Sequence, residues 1–291
     1  MRFPARKRQR PPLFRRIPGG RRRRLAPKRD VGLCVRLEAA AERPGGTGTT
    51  IRSSPSRTVI LMRFLDDSLD SLLPALQIAP RAQAPDGAIA RPDRATLEDH
   101  LARKQYGPFT LTDAVRPGWQ LDVVPRAGYR HDAYVDPRSG ARLPALIASV
   151  SSEQLFETFL QLLDPLGDTL DVVLETSHDD QVSHAEHTRE GVERLVLEST
   201  LWDFEELLLH DGCTGIAVMH PEMQMEVQLD EHKLLVVYAH DRSPFERVLL
   251  RQGIERNDRI RFISQGEHLH TSHTRFARRF DELVARLGAG G

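Results

Sequence analysis

The chain has few cysteines and no long apolar run. Only Cys34 and Cys213 occur, too few for a disulfide framework or a four-cysteine zinc site, which favours a reducing compartment. No apolar run approaches the roughly 20 residues that a membrane-spanning helix needs. The arginines near the N-terminus are not followed by the apolar core of a signal peptide. The sequence therefore predicts a cytoplasmic protein with no membrane partner.

The motifs of several well-known enzyme classes are also missing. The sequence contains no GxSxG, no phosphate-binding loop, no GxGxxG and no CxxC. The body of the chain also lacks a stripe of aromatic and basic residues suited to nucleic acid. These absences leave the catalytic class open, so the leading interpretation is a binding or regulatory module.

Charge is distributed very unevenly along the chain. Residues 1–61 contain 17 basic and three acidic residues, whereas residues 62–291 contain 24 basic and 38 acidic ones. The first segment is rich in Arg, Pro and Gly and is predicted to be a disordered basic extension. The leading interpretation is that this segment lies upstream of the true translation start, which would be near Met62. The alternatives are a tail without function and an arm that binds nucleic acid.

The rest of the sequence predicts one folded domain. Residues 62–106 are read as short helices and a Pro/Ala linker, and residues 107–291 as a single α/β or α+β domain with helices packed on a mixed sheet. Hydrophobic periodicity and turn residues place the elements along the chain. Strands are predicted at 119–124, 131–150 (two strands), 169–178, 215–220, 223–229, 234–239 and 259–264, and helices at 95–105, 151–164, 184–210, 243–252 and 273–287.

Several histidines and carboxylates follow predicted strands. If strands 215–220, 223–229 and 234–239 form a meander, the first and the third run parallel and their ends share one edge of the sheet. The end of strand 169–178 joins that edge if it runs the same way. The catalytic candidates are Glu175, Asp179 and Asp241, and the metal-ligand candidates are His178, His220 and His240. The alternative is that these residues are polar because loops are solvated.

Two further histidine clusters admit more than one interpretation. In SHDDQVSHAEH, Ser183 and Glu186 have the spacing of a capping box, which predicts a helix beginning at His184. The alternatives are a polar loop and a metal site that uses His184 and His187. In HLHTSH, His268 and His270 would share a face if a strand extends that far, and zinc accepts three histidines plus water. A loop followed by an ordinary helix cap is the simpler interpretation.

The expected function is therefore stated as three alternatives. The first is a non-enzymatic binding or regulatory module, whose partner is a protein or a small ligand rather than nucleic acid. The second is a metal-dependent hydrolase in which a metal-bound water attacks the substrate and Glu175 or Asp179 acts as base. The third is a nucleic-acid-associated protein tethered by the basic arm. The sequence predicts no cofactor, and a divalent metal is the alternative that it leaves open.

Overall fold

A computed structural model describes residues 33–37, 94–135, 142–178 and 185–290 of the chain. These ranges form twelve strands, six α-helices and two short 3-10 helices. The strands are β1 (Leu33–Leu37), β2 (Gln105–Tyr106), β3 (Phe109–Thr110), β4 (Val115–Pro117), β5 (Gly128–Val135), β6 (Arg142–Ser149), β7 (Thr169–Thr176), β8 (Ala185–Glu193), β9 (Thr214–Met219), β10 (Met225–Leu229), β11 (Leu234–Ala239) and β12 (His268–His273). The α-helices are α1 (Arg94–Ala102), α2 (Ser152–Leu163), α3 (Arg194–Trp202), α4 (Glu205–His210), α5 (Ser243–Arg251) and α6 (Thr274–Leu287), and the 3-10 helices are Asp164–Leu166 and Ile263–Gln265.

The largest sheet has seven strands in the order β5-β6-β11-β10-β9-β7-β8. Every neighbouring pair in it is antiparallel. Strands β7 and β10 therefore finish at one end of the sheet, called here the β7–β10 end. Strands β9 and β11 finish at the opposite end, called the β9–β11 end. This alternation decides which of the loop residues can meet.

A second sheet of three strands, in the order β1-β12-β4, is mixed. Strand β1 runs parallel to β12, and β4 runs antiparallel to it. The central strand β12 comes close to the segment between α4 and β9, where the Gly212 amide donates to the Thr271 carbonyl at 2.8 Å. The small sheet is thereby joined to the β7–β10 end of the large sheet.

One large apolar cluster holds helices and sheet together. Alternate residues of the strands point to the same face because the side-chain period of a strand is two. On α6, the residues Phe276, Phe280, Leu283 and Leu287 are buried, with the spacing expected for one helical face. The predicted α/β or α+β class with helices packed on sheets is confirmed, and the antiparallel large sheet places the fold on the α+β side.

Most of the predicted elements form near their expected positions. The hairpin β5–β6, the helix α2, the strand β7, the three-strand meander β9–β11 and the helices α5 and α6 all agree with the sequence interpretation. Each carries its own periodicity and is bounded by Pro, Gly or polar residues, so local sequence is sufficient to define it.

Two predicted strands are wrong. Residues 119–124 form turns and bends, with Leu121 at a positive φ of 48°, and residues 259–264 are irregular up to the 3-10 helix Ile263–Gln265. Both have strand-like composition, but neither pairs with a neighbouring strand. Propensity without a pairing partner does not make a strand, because most of the stabilisation comes from cross-strand contacts.

The helix predicted from His184 is wrong over its first nine described residues. Residues 185–193 form β8, an edge strand whose Glu186 lies opposite Glu175 of β7. The helix begins only at Arg194, and it breaks between Trp202 and Glu205 into α3 and α4. The capping-box spacing is therefore coincidental, since Glu186 belongs to a strand. Ser183 and His184 lie outside the described residues.

The N-terminal predictions fall largely outside the described residues. Of residues 1–61, the structure describes only β1, whose backbone pairs with β12 in the register Leu33↔Leu269 to Leu37↔His273. Within the parts of the chain that the structure describes, no helix is both long enough and apolar enough to cross a membrane.

Candidate metal centre

The sequence-predicted constellation does not form as one site. Strand β7 pairs antiparallel with β9, so the residues that follow it lie at the opposite end of the sheet from those that follow β9 and β11. Glu175 and His178 are at the β7–β10 end, whereas His220 and His240 are at the β9–β11 end. Asp179 lies outside the described residues. Strand 169–178 therefore does not run in the same direction as strands 215–220 and 234–239, which was the condition for a single site.

At the β9–β11 end, the candidate residues have local roles. The Nδ1 atom of His220 accepts hydrogen bonds from the amides of Glu222 and Met223, each at 3.0 Å. His240 is exposed, and its Nε2 atom meets Oε1 of Gln224 at 2.9 Å. The carboxylate of Asp241 accepts from the amide of Ser243 at 3.0 Å, at the start of α5. These contacts are those of turns and helix starts, and they bring no second imidazole to His220 or His240.

At the β7–β10 end, His178 is engaged through both ring nitrogens. Its Nε2 atom donates to Oδ2 of Asp211 at 3.0 Å, and its Nδ1 atom meets the Thr176 hydroxyl at 2.6 Å. The Ser272 hydroxyl also lies on the Nε2 side, at 3.4 Å. In a Ser–His–Asp relay the acid and the serine hydroxyl contact different nitrogens, whereas Asp211 and Ser272 share Nε2 here, so these two residues and His178 do not form one.

Strand β12 has a polar face that is buried. Residues His268, His270 and Ser272 are 5%, 4% and 1% exposed, while the alternating residues between them are less buried. In an ordinary half-buried strand the inward face is apolar. A polar inward face requires specific partners for its side chains, because a buried polar group without one is costly.

His232 completes a cluster of three imidazoles with His268 and His270. It lies in the turn between β10 and β11, far from β12 in sequence. The ring centroid of His232 lies 4.8 Å from that of His268 and 4.7 Å from that of His270. Each ring offers one coordinating atom, and these three atoms lie within 4.8 Å of one another. The fold thus builds a three-histidine group from two separate sheets.

The second nitrogen of each ring is held by an oxygen atom. Nδ1 of His232 meets Oδ2 of Asp230 at 3.2 Å, Nδ1 of His268 meets the Gly266 carbonyl at 2.8 Å, and Nδ1 of His270 meets the Gly212 carbonyl at 2.8 Å. Carbonyl and carboxylate oxygens only accept, so each Nδ1 carries the hydrogen and donates it. This leaves Nε2 as the coordinating nitrogen of all three rings, which is how histidine ligands of metals are commonly oriented.

The distance between two of these nitrogens fits a tetrahedral ion. Nε2 of His232 and Nε2 of His268 are 3.1 Å apart. Two nitrogens bound to one tetrahedral zinc at about 2.05 Å lie about 3.3 Å from each other. Three imidazoles suit zinc, copper, iron or nickel, whereas calcium and magnesium prefer oxygen. The donor set and the spacing therefore fit a transition metal.

The charges around the cluster suit a cation. Burial, and next the neighbouring His232, lower the pKa of His270 to about 3, so the ring is neutral at pH 7, as a ligand must be. Burial raises the pKa of Asp230, but His232, the Leu234 amide and Lys233 together outweigh it and lower that pKa. The Asp230 side chain also accepts from the Leu234 amide at 2.8 Å. An ionised carboxylate, that of Asp230, therefore accepts the hydrogen bond from Nδ1 of the ligand His232.

A second group, formed by His178, Asp211 and Cys213, also has donor atoms within 4.8 Å of one another. It is less suited to a metal, because both ring nitrogens of His178 contact protein oxygens, Oδ2 of Asp211 and the Thr176 hydroxyl. The buried Asp211 also binds the amide of Cys213 and the hydroxyl of Thr214. Cys213 is 1% exposed, so its thiol is packed in the interior. We interpret this group as a buried hydrogen-bond network.

Gly212 holds the two halves of the centre together. A Cβ atom at this position would lie 2.3 Å from the Ala114 carbonyl oxygen and 2.8 Å from the Thr271 carbonyl oxygen. Only glycine permits so close an approach of backbones. This contact brings the Gly212 carbonyl within reach of His270 and sets the distance between β12 and the large sheet.

Sequence reasoning raised two of the three histidines as an alternative and missed the third. The simpler interpretation of HLHTSH, a loop followed by a helix cap at Thr271 or Ser272, is wrong, because His268–His273 form β12 and His273 is the residue before the helix. The alternation HLHTSH pointed to His268 and His270, and the structure confirms that they share a face. His232, in the turn LDEHKL, and its carboxylate partner Asp230 carried no recognised motif. The available signal was a histidine and an aspartate two residues apart in a tight turn, which is too common to identify a ligand.

Comparison with protein-family models, curated proteins and solved structures found no match for this chain. The interpretation of the site therefore rests on its own geometry.

Proposed function

We propose that this protein binds one divalent transition metal ion, for which zinc is the best-matched candidate, through His232, His268 and His270. The observation that carries the proposal is the orientation of the three rings. Each Nδ1 is tied to an oxygen acceptor, which leaves three Nε2 atoms as the coordinating group. Packing alone does not require three tautomers to agree in this way.

The position of the ligands gives the ion a structural role. Two ligands belong to β12 of the small sheet and the third to the turn between β10 and β11 of the large sheet. An ion bound to all three would connect the sheets. Because binding to the folded state alone stabilises that state, metal affinity appears directly as folding stability.

A metal-dependent hydrolase is a second candidate, and one observation favours it. Three protein ligands leave the fourth position of a tetrahedral zinc for water, as in catalytic rather than structural zinc sites. One ligand, His232, also lines a small pocket, and this candidate requires that pocket to reach the fourth position. A metal of this kind supplies an acidified water as nucleophile. The base that the sequence suggested, Glu175 or Asp179, remains a proposal.

The binding-module interpretation stays a prediction. It needs a partner, and the described residues identify none. A binding module could contain the same metal ion as a structural element. The binding-module and metal-site interpretations therefore share their first test.

That test is metal content. The full chain, purified without a histidine tag, is analysed by elemental mass spectrometry and by thermal unfolding with and without a chelator. We expect close to one zinc per chain and a lower melting temperature after chelation. The double variant H268N/H270N should lose both the metal and the response to chelator.

The matched control is H220N/H240N, which removes two histidines from the β9–β11 end. It should keep both the metal and the response. A metal-free wild-type chain that is indifferent to chelator, or equal loss of metal in both variants, would contradict the proposal.

A further inference from the structure

The hydroxyl of Thr176 contacts the imidazole of His178 at the β7–β10 end of the large sheet. Oγ1 of Thr176 lies 2.6 Å from Nδ1 of His178, and the other ring nitrogen, Nε2, lies 3.0 Å from Oδ2 of Asp211. A hydroxyl and a carboxylate therefore contact different nitrogens of one ring. This is the order of groups in a relay of nucleophile, histidine and acid, and it is Thr176 rather than Ser272 that provides it.

The direction of these two hydrogen bonds is set by Asp211. An ionised carboxylate only accepts, so Nε2 of the neutral ring carries the hydrogen and donates it to Asp211. Nδ1 is then left with a lone pair and can only accept, so the Thr176 hydroxyl donates its hydrogen to Nδ1. In this arrangement the ring of His178 is placed to remove the proton of the Thr176 hydroxyl, as a general base does.

The surroundings of Asp211 keep its carboxylate ionised. The residue is 0% exposed, and its side chain accepts hydrogen bonds from the Cys213 amide at 3.3 Å and from the Thr214 hydroxyl. Burial raises the pKa of Asp211, but His178, Ser272 and Thr214 together outweigh burial and lower it. A protonated imidazole would be stabilised by this fixed negative charge, which is the part that the acid plays in a relay.

A local turn explains only half of this arrangement. The Thr176 hydroxyl also accepts from the His178 amide at 3.2 Å, which is a common contact between residues two positions apart. Such a turn needs no buried acid, and Asp211 comes from a different part of the chain, between α4 and β9. The amide also assists the chemistry, because a donor to Oγ1 stabilises the negative charge that develops there as the proton leaves.

The exposure and charge of the group indicate its substrate. Thr176 and His178 are partly exposed, although only 9% of the His178 side chain is, so the reacting group has to be small. The ring of His178 also packs against that of Phe280, with the centroids 6.0 Å apart. A phosphoryl donor is an anion and would be repelled by the charge of Asp211, whereas an ester is neutral. The site therefore suits a small acyl group carried by an ester.

We propose that Thr176 is a nucleophile for acyl transfer from small neutral esters, with His178 as general base and Asp211 as the carboxylate that orients and stabilises it. Oγ1 of Thr176 bonds to the carbonyl carbon while its proton passes to Nδ1 of His178. The bond from that carbon to the alcohol oxygen breaks, and the departing oxygen takes the proton. Water then attacks the acyl carbon, one of its protons passes through Nδ1 to Oγ1, and the acid is released. These steps use no metal ion, so the inference goes beyond the three-histidine centre and is independent of it.

The test is acylation of the full chain by p-nitrophenyl acetate. Absorbance follows the release of p-nitrophenolate, and peptide mass spectrometry after an acid quench identifies the acetylated residue. We expect an acetyl group on Thr176 in the wild type and at the same position in T176S, which keeps the hydroxyl, but none there in T176V. Removal of the base in H178N should slow acylation at this position at least about 100-fold, a usual contribution of general base catalysis.

The matched control is T169A, which removes an exposed threonine at the other end of β7 and should react as the wild type does. Acylation of Thr176 should also persist in H268N/H270N and in chelated protein kept below its melting temperature.

Each other outcome overturns one proposal. A wild-type chain without acetyl-Thr176, an acetyl group on Ser272 instead, or a wild-type rate in H178N overturns the assignment of Thr176. The same holds for ester cleavage that disappears on chelation, because it would then belong to a metal-bound water. A chain that takes up no zinc but acylates Thr176 contradicts the metal proposal alone. H178N tests the relay even if T176V fails to fold.

Discussion

His232 and His268 direct their Nε2 atoms at each other across 3.1 Å, although 36 positions separate them in the chain. Each ring has its other nitrogen bound to an oxygen that can only accept, so neither Nε2 of a neutral ring carries a hydrogen to place between them. Two facing lone pairs repel unless a proton or a metal ion lies between them, and the third imidazole beside them, that of His270, favours the metal ion. This relationship is the physical reason to expect a metal, and four predictions follow from its surroundings.

Asp230 should control metal affinity without touching the metal. Replacing it by Asn leaves an acceptor for His232 but removes the negative charge, so we expect zinc affinity to fall about 10- to 100-fold, as for other carboxylates behind histidine ligands. The measurement is competition with a chromogenic chelator. Asp241→Asn removes the same charge at the β9–β11 end and should leave the affinity unchanged. Equal affinities of Asp230→Asn and the wild type would show that the carboxylate does not support the ligand.

Gly212→Ala should separate the two sheets. The added Cβ would overlap the carbonyl oxygens of Ala114 and Thr271, and relief of that overlap requires the backbones to move. We expect the free energy of unfolding to fall by about 1–3 kcal/mol, the usual cost of overpacking. Urea unfolding of the chelated protein measures it without the metal. The control is Gly290→Ala, whose added Cβ has nothing within 4 Å; a loss as large in the control would mean that the cost lies elsewhere.

Asp211 should make stability depend on pH in the acid range. Burial would raise its pKa, but hydrogen bonds, first that from His178, outweigh burial and lower it. A carboxylate with a lowered folded-state pKa stabilises the protein above its unfolded pKa of about 3.9, and this contribution is lost as the pH falls further. We expect Asp211→Asn to be less stable than the wild type at pH 7, by about 3 kcal/mol.

The difference between Asp211→Asn and the wild type should shrink below about pH 4, because the carboxylate of the unfolded chain becomes protonated there while that of the folded chain still resists protonation. Chemical unfolding at several pH values provides the comparison. Asp258→Asn, in an exposed pair with Arg256, should change little at any pH. A difference that stays constant down to pH 3 would rule out this role for the Asp211 carboxylate.

Strand β1 should protect the strand that carries two metal ligands. It pairs with β12 from Leu269 to His273, and its removal would leave one edge of β12 with unpaired backbone groups. In a chain of residues 62–291 we expect faster amide hydrogen exchange in β12 than in the full chain, with exchange in β10 unchanged as the internal control. Unchanged exchange in β12 would show that residues 33–37 do not contribute to the sheet.

The sequence predicted those parts of the fold that depend on short-range patterns. Helices α2, α5 and α6 each carry an apolar stripe with helical spacing, and β9–β11 are short apolar segments separated by turns. The same reasoning failed for residues 185–193, which are polar and carry the spacing of a helix cap. They form a strand because they pair with the exposed edge of β7. The sequence of residues 185–193 alone gives no indication that this edge lies beside them.

For the candidate site, too, local sequence predicted some features and tertiary contacts decided the others. The sequence by itself determined the fold class and the existence of a meander with histidines after its strands, and it offered the shared face of His268 and His270 only as an alternative to a loop. It could not determine strand direction, on which the grouping of Glu175 and His178 with His220 and His240 depended.

Only the tertiary structure decided that β7 runs antiparallel to β9, and that Gly212 allows β12 to approach the turn containing His232. The physical reason is that a metal centre of this kind is assembled from side chains distant in sequence. Their proximity is a property of sheet order and backbone packing, which depend on the free energy of the whole fold rather than on any local pattern.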